Sequence, residues 1–336
     1  MYISEFTPVD MTHAIDPDLR RAATPAGSAS VSTSNAGSGG ASSSVSKARP
    51  AQSEMPPDAP IGIFDSGVGG MSVLHAIHRL LPKETLLYCA DSHYAPYGQR
   101  DDEYIVDRSV AVCNWLLEHQ IKALVVACNT ATAPAIEQLR KLTEHLNLPI
   151  VGIEPGVKPA ALFSKRRVAG VLATASTLKS QRFQALLARH AGDCHFVCVA
   201  GNGLVDAIEQ GDTDSPEVIA LLERYLDEIL DAGADTLVLG CTHYPFLEQA
   251  IQKIAGEYLT VIDTASAVAR QLERLLAERQ LLAPATAGTP IVRLCSTGNM
   301  APLHTLADKL GIRVEIDAQS INIPSTRMVD TCCHRF

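Results

Sequence analysis

The stretch ALVVACNT, residues 123–130, is a short apolar run that ends in a cysteine and two polar residues. The same pattern returns 113 residues later as TLVLGCTH, residues 236–243. Such runs are typical of central strands in a parallel sheet, which are buried on both faces. Because the polar residues follow directly, we expect each cysteine at the carboxyl end of its strand, where open α/β sheets bind their ligands.

Short apolar strands alternate with longer helical patterns along most of the chain, which indicates βαβ units and a parallel sheet. We predict strands at residues 61–64, 85–89, 123–127, 150–153, 168–173, 195–200, 236–240, 261–262, 291–294 and 314–316. We predict helices at residues 71–81, 108–118, 134–146, 178–190, 216–231, 265–278 and 302–310, with Pro134 at the first turn of its helix.

A second pair of similar segments indicates an internal duplication. GIFDS at residues 62–66 and GVLAT at residues 170–174 lie 108 residues apart, close to the spacing of the two cysteines. The fold class predicted is therefore α/β, with two pseudo-symmetric domains, parallel sheets and an active site in the cleft between them. We assign residues 59–152 plus 265–336 to the first domain and residues 153–264 to the second. Residues 1–58, rich in Ser, Ala and Gly, are predicted to be a disordered extension.

The composition excludes several classes of protein. The 336 residues carry a net charge of −9 and no Lys/Arg cluster, which argues against nucleic-acid binding. No apolar run approaches the roughly 18 residues that span a bilayer, so we expect no membrane association. Nine cysteines without a C-x-x-C pair favour a reduced cytoplasmic protein over a disulfide framework or a zinc site. We therefore expect no metal.

Two thiols at equivalent strand ends suit a particular reaction. If the halves are pseudo-symmetric, Cys128 and Cys241 face each other across one cleft. Inversion of a stereocentre needs a base on one face and an acid on the other, and a thiolate with a thiol supplies both. We also expect a helix N-terminus just after each cysteine, which would favour the thiolate. Asp65 ends a strand that the expected topology places close to that of Cys128, and His243 is two residues beyond Cys241, so both could assist. The alternatives are that the cysteines are small core residues, that Asp65 caps a helix, and that His243 is structural.

Four motifs together carry a specific resemblance. FDSGVGG (residues 64–70), PYG (96–98), ACNTA (127–131) and GCTHYP (240–245) resemble the signature set of the glutamate racemases, over roughly residues 59–320. The resemblance implies two flavodoxin-like α/β domains. It also implies interconversion of L- and D-glutamate with no cofactor, neither pyridoxal phosphate nor metal, to supply D-glutamate for peptidoglycan.

The resemblance also implies a role for each matching residue. Cys128 would take the α-proton from D-glutamate and Cys241 from L-glutamate. Asp65, His243 and Glu209 would assist, although the segment around Glu209 is less distinctive and a solvated charge at a helix end is its alternative. The matching substrate-binding positions are Asp65, Ser66, Pro96, Tyr97, Gly98, Asn129, Thr130, Thr174, Thr177, Thr242 and His243. No Arg or Lys lies in these motifs, so helix N-termini and neutral donors would hold the carboxylates.

Other readings stay open at this point. The related aspartate racemases typically have an acidic residue where His243 stands, so the motif favours glutamate, but aspartate or a hydantoin is an alternative substrate. A non-catalytic binding protein on the same scaffold would not need both cysteines, and a gyrase-inhibiting side function is not readable from the chain. The resemblance also leaves open a homodimer and activation by UDP-N-acetylmuramoyl-L-alanine.

Overall fold

The computed structural model describes residues 55–284, 288–313 and 319–324. The strands of this part of the chain are β1 (Ile61–Asp65), β2 (Leu86–Ala90), β3 (Ala123–Val126), β4 (Ile150–Gly152), β5 (Val168–Ala173), β6 (His195–Ala200), β7 (Thr236–Gly240), β8 (Thr260–Ile262), β9 (Val292–Ser296) and β10 (Gln319–Ser320).

Helices connect these strands. They are α1 (Met71–Leu80), α2 (Asp102–Glu118), α3 (Asn129–Leu142), α4 (Val157–Phe163), α5 (Ala175–Lys179), α6 (Gln181–His190), α7 (Leu204–Glu209), α8 (Pro216–Asp231), α9 (Glu248–Ala255), α10 (Ala265–Glu278) and α11 (Ala301–Lys309). None of the helices in the described ranges is long and apolar enough to cross a membrane.

The strands form two sheets in which every pairing is parallel. A six-stranded sheet has the order β10-β9-β2-β1-β3-β4, and a four-stranded sheet has the order β6-β5-β7-β8. Within both, four consecutive strands follow the same order: second, first, third, fourth along the chain. The predicted fold class, a duplicated α/β architecture with parallel sheets, is confirmed. The cysteines follow β3 and β7, the third strand of each repeat.

The last part of the chain returns to the six-stranded sheet. Strand β9 pairs with β2, and α10 packs against α1. The strand predicted at residues 314–316 lies outside the described residues. The boundaries drawn between the two predicted domains, at residues 152 and 264, stay a prediction.

Each sheet is covered on both faces by apolar side chains. Along β3, Ala123 and Val125 belong to one buried cluster, while Leu124 and Val126 belong to the cluster on the opposite face. This is the period of two that a strand imposes on its side chains. Strands buried on both faces hold the polar residues that follow them in fixed positions at the sheet edge.

Several predicted helices differ from the structure. Helix α3 begins at Asn129, five residues before the predicted start, because the chain turns into the helix directly at the strand end and Cys128 caps it; Pro134 therefore lies inside the helix. The segment predicted as one helix at 178–190 is two, α5 and α6, since the extended backbone of Ser180 separates them and its hydroxyl caps α6. Helices α4, α7 and α9 were not predicted.

The described chain begins within the predicted extension. Met55 packs against the core, and Nζ of the buried Lys122 donates to the carbonyl oxygen of Pro57. Residues 55–58 are therefore part of the fold. The prediction of disorder for residues 1–54 lies outside the described residues.

Candidate active site

A pocket opens at the carboxyl ends of strands from both sheets. It encloses about 520 Å³ of space, its open mouth included. It is lined by Ser66, Pro96, Tyr97, Gly98, Gln99, Cys128, Asn129, Thr130, Thr174, Ala175, Gly201, Asn202, Gly203, Val205, Asp206, Cys241, Thr242 and His243. Asp65, Thr177 and Glu209 complete the predicted set, and each contacts a lining residue from behind. The structure thus brings all the predicted site residues together.

Cys128 lies at the junction of β3 and α3. Its Sγ accepts a hydrogen bond from the backbone N–H of Ala131 at 3.4 Å and lies 3.5 Å from Oγ of Ser66. Only 4% of the residue is exposed. Burial raises the pKa of the Cys128 thiol well above its ordinary value, and the nearby Asp65 carboxylate adds to the rise. The raised pKa favours the protonated thiol.

Asp65 ends β1 and is fully buried behind the pocket. Its Oδ2 accepts from the backbone N–H of Gly70 at 2.6 Å and from the hydroxyl of Thr242 at 3.5 Å. Its Oδ1 is buried without a hydrogen-bond partner. Burial raises the pKa of Asp65 and outweighs the opposing effect of His243. The alternative that Asp65 caps a helix is not met, since Gly70 is the N-cap residue of α1 and no side chain caps that helix.

The second cysteine has a basic partner. Sγ of Cys241 lies 3.6 Å from Nδ1 of His243, and Nε2 of the same ring lies 2.5 Å from Oε1 of Glu209. Burial works against the charged imidazolium, but the hydrogen bonds to Cys241 and Glu209 prevail and raise the pKa of His243 well above its ordinary value. The raised pKa favours the protonated ring, the imidazolium, directly beside the sulfur of Cys241.

The prediction of a helix N-terminus after each cysteine holds on one side only. At Cys128 the first turn of α3 follows directly. After Cys241 the chain forms a short 3₁₀ helix, Tyr244–Leu247, and α9 begins later. The prediction is wrong for Cys241, where the ring of His243, and not the end of an α-helix, lies next to the sulfur.

The glycine-rich loop after β1 makes room for the His243–Glu209 pair. A Cβ on Gly67 would lie 1.9 Å from Oε1 of Glu209, and a Cβ on Gly69 would lie 2.3 Å from Nδ1 of His243. Between them, the backbone N–H of Val68 donates to Oε1 of Glu209 at 2.7 Å. Only glycine permits this close approach, so the G-V-G-G segment serves the site by its lack of side chains.

Neutral hydroxyl and amide groups form another wall. The hydroxyls of Thr130 and Thr174 lie 3.0 Å apart, and Thr174 is 2.9 Å from that of Thr177. The side-chain oxygen and nitrogen of Asn129 are both buried without a partner. A buried amide in this state has donor and acceptor capacity left for a ligand. None of the residues lining this pocket is Lys or Arg.

Some pocket residues were not predicted. Gly201, Asn202, Gly203, Val205 and Asp206 follow β6. Strand β6 takes the place in its sheet that β2 takes in the other, and the motif containing Tyr97 follows β2. The internal repeat was therefore the available signal for this wall.

Comparison with known proteins agrees with this geometry. The family model described as Asp/Glu/Hydantoin racemase matches residues 61–272. The chain is 57% identical over 252 residues to a glutamate racemase of Ralstonia pickettii, covering 75% of this chain and 88% of that protein. The structure resembles that of the glutamate racemase isoform RacE1 of Bacillus anthracis, with a TM-score of 0.69 and 32% identity, covering 80% of this chain and 99% of that one.

A further solved structure that resembles this chain is the Escherichia coli glutamate racemase in complex with L-glutamate and the activator UDP-MurNAc-Ala. Its TM-score is 0.64 at 32% identity, covering 75% of this chain and 94% of that one. These findings confirm the resemblance carried by the four motifs. The chain belongs to the Asp/Glu/Hydantoin racemase family.

Proposed function

We propose that this enzyme interconverts L- and D-glutamate by proton transfer between two thiols and the α-carbon. The observation that carries the proposal is that Cys128 and Cys241, which follow strands of two different sheets, line one pocket. A proton removed by one thiolate and a proton supplied by the other thiol together invert the α-carbon.

The two thiols differ in their surroundings, which supports distinct roles. Cys241 lies against the His243 imidazolium, and Cys128 lies in a buried site beside Asp65, where its pKa is raised. We infer that Cys241 is the base and Cys128 the acid in the direction that starts from L-glutamate. Sγ of Cys241 takes the α-proton, and the thiol of Cys128 donates its proton to the other face of the carbanion.

The product state carries the opposite pair, a thiol at Cys241 and a thiolate at Cys128. From it, D-glutamate reacts in reverse, because Cys128 now removes the α-proton and Cys241 returns one. His243 and Glu209 act through Cys241, and Asp65 acts near Cys128. The atoms balance in each direction, since one proton enters and one leaves.

Neutral donors are proposed to bind the two carboxylates of glutamate. The free amide of Asn129 and the hydroxyls of Ser66, Thr130 and Thr174 are available on the pocket wall. The first turn of α3 adds backbone N–H groups close by. Pro96, Tyr97 and Gly98 form the adjoining wall. Thr177 accepts a hydrogen bond from the hydroxyl of Thr174, and Thr242 donates one to Asp65.

Circular dichroism of the protein with D-glutamate in D₂O, followed by proton NMR, tests the proposal. Loss of the optical signal with deuterium entering Cα is the expected result. Exchange with aspartate and not with glutamate would keep the two-thiol chemistry and overturn the substrate. No exchange with either amino acid would contradict an amino-acid racemase.

The cellular role is part of the proposal. We infer that the product D-glutamate supplies peptidoglycan synthesis in the cytoplasm; the cysteines of the described ranges are free thiols, as a reducing compartment allows. Activation by UDP-N-acetylmuramoyl-L-alanine is tested by adding it to the assay. A homodimer is tested by light scattering.

A further inference from the structure

A buried ion pair stands directly behind the pocket wall. Asp91 follows β2 at the carboxyl end of the six-stranded sheet, and Arg108 lies in α2. Nη2 and Nε of Arg108 donate to the two carboxylate oxygens of Asp91 at 2.8 and 2.9 Å. Both residues are almost completely excluded from solvent. A buried ion pair is weak evidence for stability, because desolvation offsets the attraction, so its location calls for another explanation.

The carboxylate of Asp91 also holds a pocket residue. The hydroxyl of Tyr97 donates to Oδ2 of Asp91 at 2.5 Å, and the hydroxyl of Thr297 donates to Oδ1 at 3.1 Å. Each oxygen of Asp91 therefore accepts two hydrogen bonds. Tyr97 is 1% exposed and lines the pocket between Pro96 and Gly98. Its position is thus fixed from behind by a carboxylate whose own orientation is fixed.

The next residue transmits that position to the opposite wall. A Cβ on Gly98 would lie 3.1 Å from Cβ of Thr174, so the backbone there packs closely on the threonine. Thr174 is one of the threonines whose hydroxyls are proposed to bind the substrate. A displacement of Tyr97 would therefore also move the contact with Thr174.

Arg108 also connects this hydrogen-bonded cluster to the last described segment of the chain. Its Nη1 donates to the carbonyl oxygen of Ile323 at 2.9 Å, and its guanidinium lies 3.5 Å from the ring centroid of Tyr94. The hydroxyl of Tyr94 donates to the same carbonyl at 3.4 Å. The segment at residues 319–324 is joined in this way to the wall of the pocket.

We propose that Asp91 and Arg108 are positioning residues for the racemase: they hold Tyr97 and the Pro96–Gly98 wall at the substrate, and the segment at 319–324 completes their enclosure. The inference rests on the proposed function. It predicts that loss of the ion pair raises KM for glutamate more than its effect on Tm explains. KM is the expected readout because the wall contacts the bound substrate in the ground and transition states alike.

The chain offers a matched control at the other end of the same sheet. Lys122 and Glu84 form a second buried ion pair, with Nζ and Oε2 2.5 Å apart. Both residues precede strands, β3 and β2 respectively, and neither lines the pocket. A change there removes a buried charge pair without touching Tyr97.

The test compares Arg108→Lys and Arg108→Met with Lys122→Met in the full chain, by KM, kcat and Tm for L-glutamate. We expect Arg108→Met to raise KM by about tenfold or more, in line with the cost of misplaced binding groups. Arg108→Lys should restore part of the affinity. Lys122→Met should lower Tm with KM unchanged. If Arg108→Met and Lys122→Met raised KM equally for the same loss of Tm, the inference would be overturned.

Two additions keep the outcome decisive. Thr297→Val removes a single donor to Asp91 and serves if the arginine variants do not fold; a severalfold rise in KM is expected, and an unchanged KM contradicts the inference.

Fluorine NMR of protein labelled with 3-fluorotyrosine, with the Tyr97 signal assigned by Tyr97→Phe, reports the surroundings of Tyr97 independently of catalysis. The signal should shift in the arginine and Thr297 variants and stay in Lys122→Met. An inactive wild type would refute the proposed function but not this inference. A Tyr97 signal that does not shift in these variants would refute the inference but not the proposed function.

Discussion

Nε2 of His243 lies 2.5 Å from Oε1 of Glu209, and Val68 donates its backbone N–H to the same oxygen. One carboxylate oxygen therefore joins the ring next to Cys241 to the loop that follows β1. The chain segments that meet here are far apart in sequence, and their meeting depends on the bare backbone of Gly67 and Gly69.

Replacing Glu209 with Gln removes the negative charge that supports the imidazolium of His243. We expect the raised pKa of His243 to fall, so that kcat/KM for L-glutamate declines at a lower pH than in the wild type. The pH profile of kcat/KM measures this, with Glu223→Gln on the exposed face of α8 as control. Superimposable profiles for wild type and Glu209→Gln would show that the carboxylate does not act on His243.

The same pair makes stability depend on pH. Because the folded protein raises the pKa of His243 above its ordinary 6.5, the pair stabilises the fold fully below that pH and less as pH rises through the raised pKa. The raised pKa of Asp65 has the same sign, since the folded state then binds more protons. We expect the Tm advantage of wild type over Glu209→Gln to shrink as pH rises. A constant or growing advantage, followed by calorimetry, would refute this sign.

Removing either thiol should stop racemisation. We expect Cys128→Ala and Cys241→Ala to lose at least about 10²-fold in kcat, the usual worth of a positioned acid or base. With Cys128→Ser, deuterium should enter L-glutamate faster than D-glutamate, and with Cys241→Ser the preference should reverse. Cys198→Ser, at an exposed position outside the pocket, is the control. Wild-type turnover in both alanine variants would disprove the two-thiol assignment.

Gly69→Ala should displace His243 without unfolding the protein. The added methyl carbon would stand 2.3 Å from Nδ1, so the ring must move away from Cys241. We expect kcat for L-glutamate to fall by about 10²-fold, as for a misplaced catalytic group, while Tm changes little. Gly288→Ala, which meets nothing within 4 Å, is the control. Equal kcat in the two variants would mean that the loop does not set the position of the ring.

Neither a chelator nor pyridoxal phosphate should alter the rate. The proposed chemistry uses thiols of this chain alone, so dialysis against EDTA and addition of pyridoxal phosphate are expected to leave kcat and KM unchanged. Rates are compared before and after treatment, with zinc added back as a control. A loss on dialysis that zinc restores would contradict the cofactor-free reaction.

The amino-acid sequence predicted the fold class and residues that the structure brings together at one pocket. Apolar runs such as residues 236–240 have the bounds expected of buried strands, because a strand enclosed on both faces admits few polar side chains. The two cysteines were recognisable from their repeated position after such strands. Local signals failed where tertiary packing overrode them, as at Pro134, which lies inside α3 instead of in its first turn.

The charges and contacts at the site were decided by the tertiary structure. That Cys128 lies beside a buried carboxyl and Cys241 beside an imidazolium follows from which loops meet, and no sequence spacing contains that information. The hydrogen bond from Tyr97 to Asp91 likewise arises from the way the folded chain packs. Sequence patterns record local periodicity and the order of strands, whereas pKa values and hydrogen bonds depend on burial and distance, which exist only once the chain has folded.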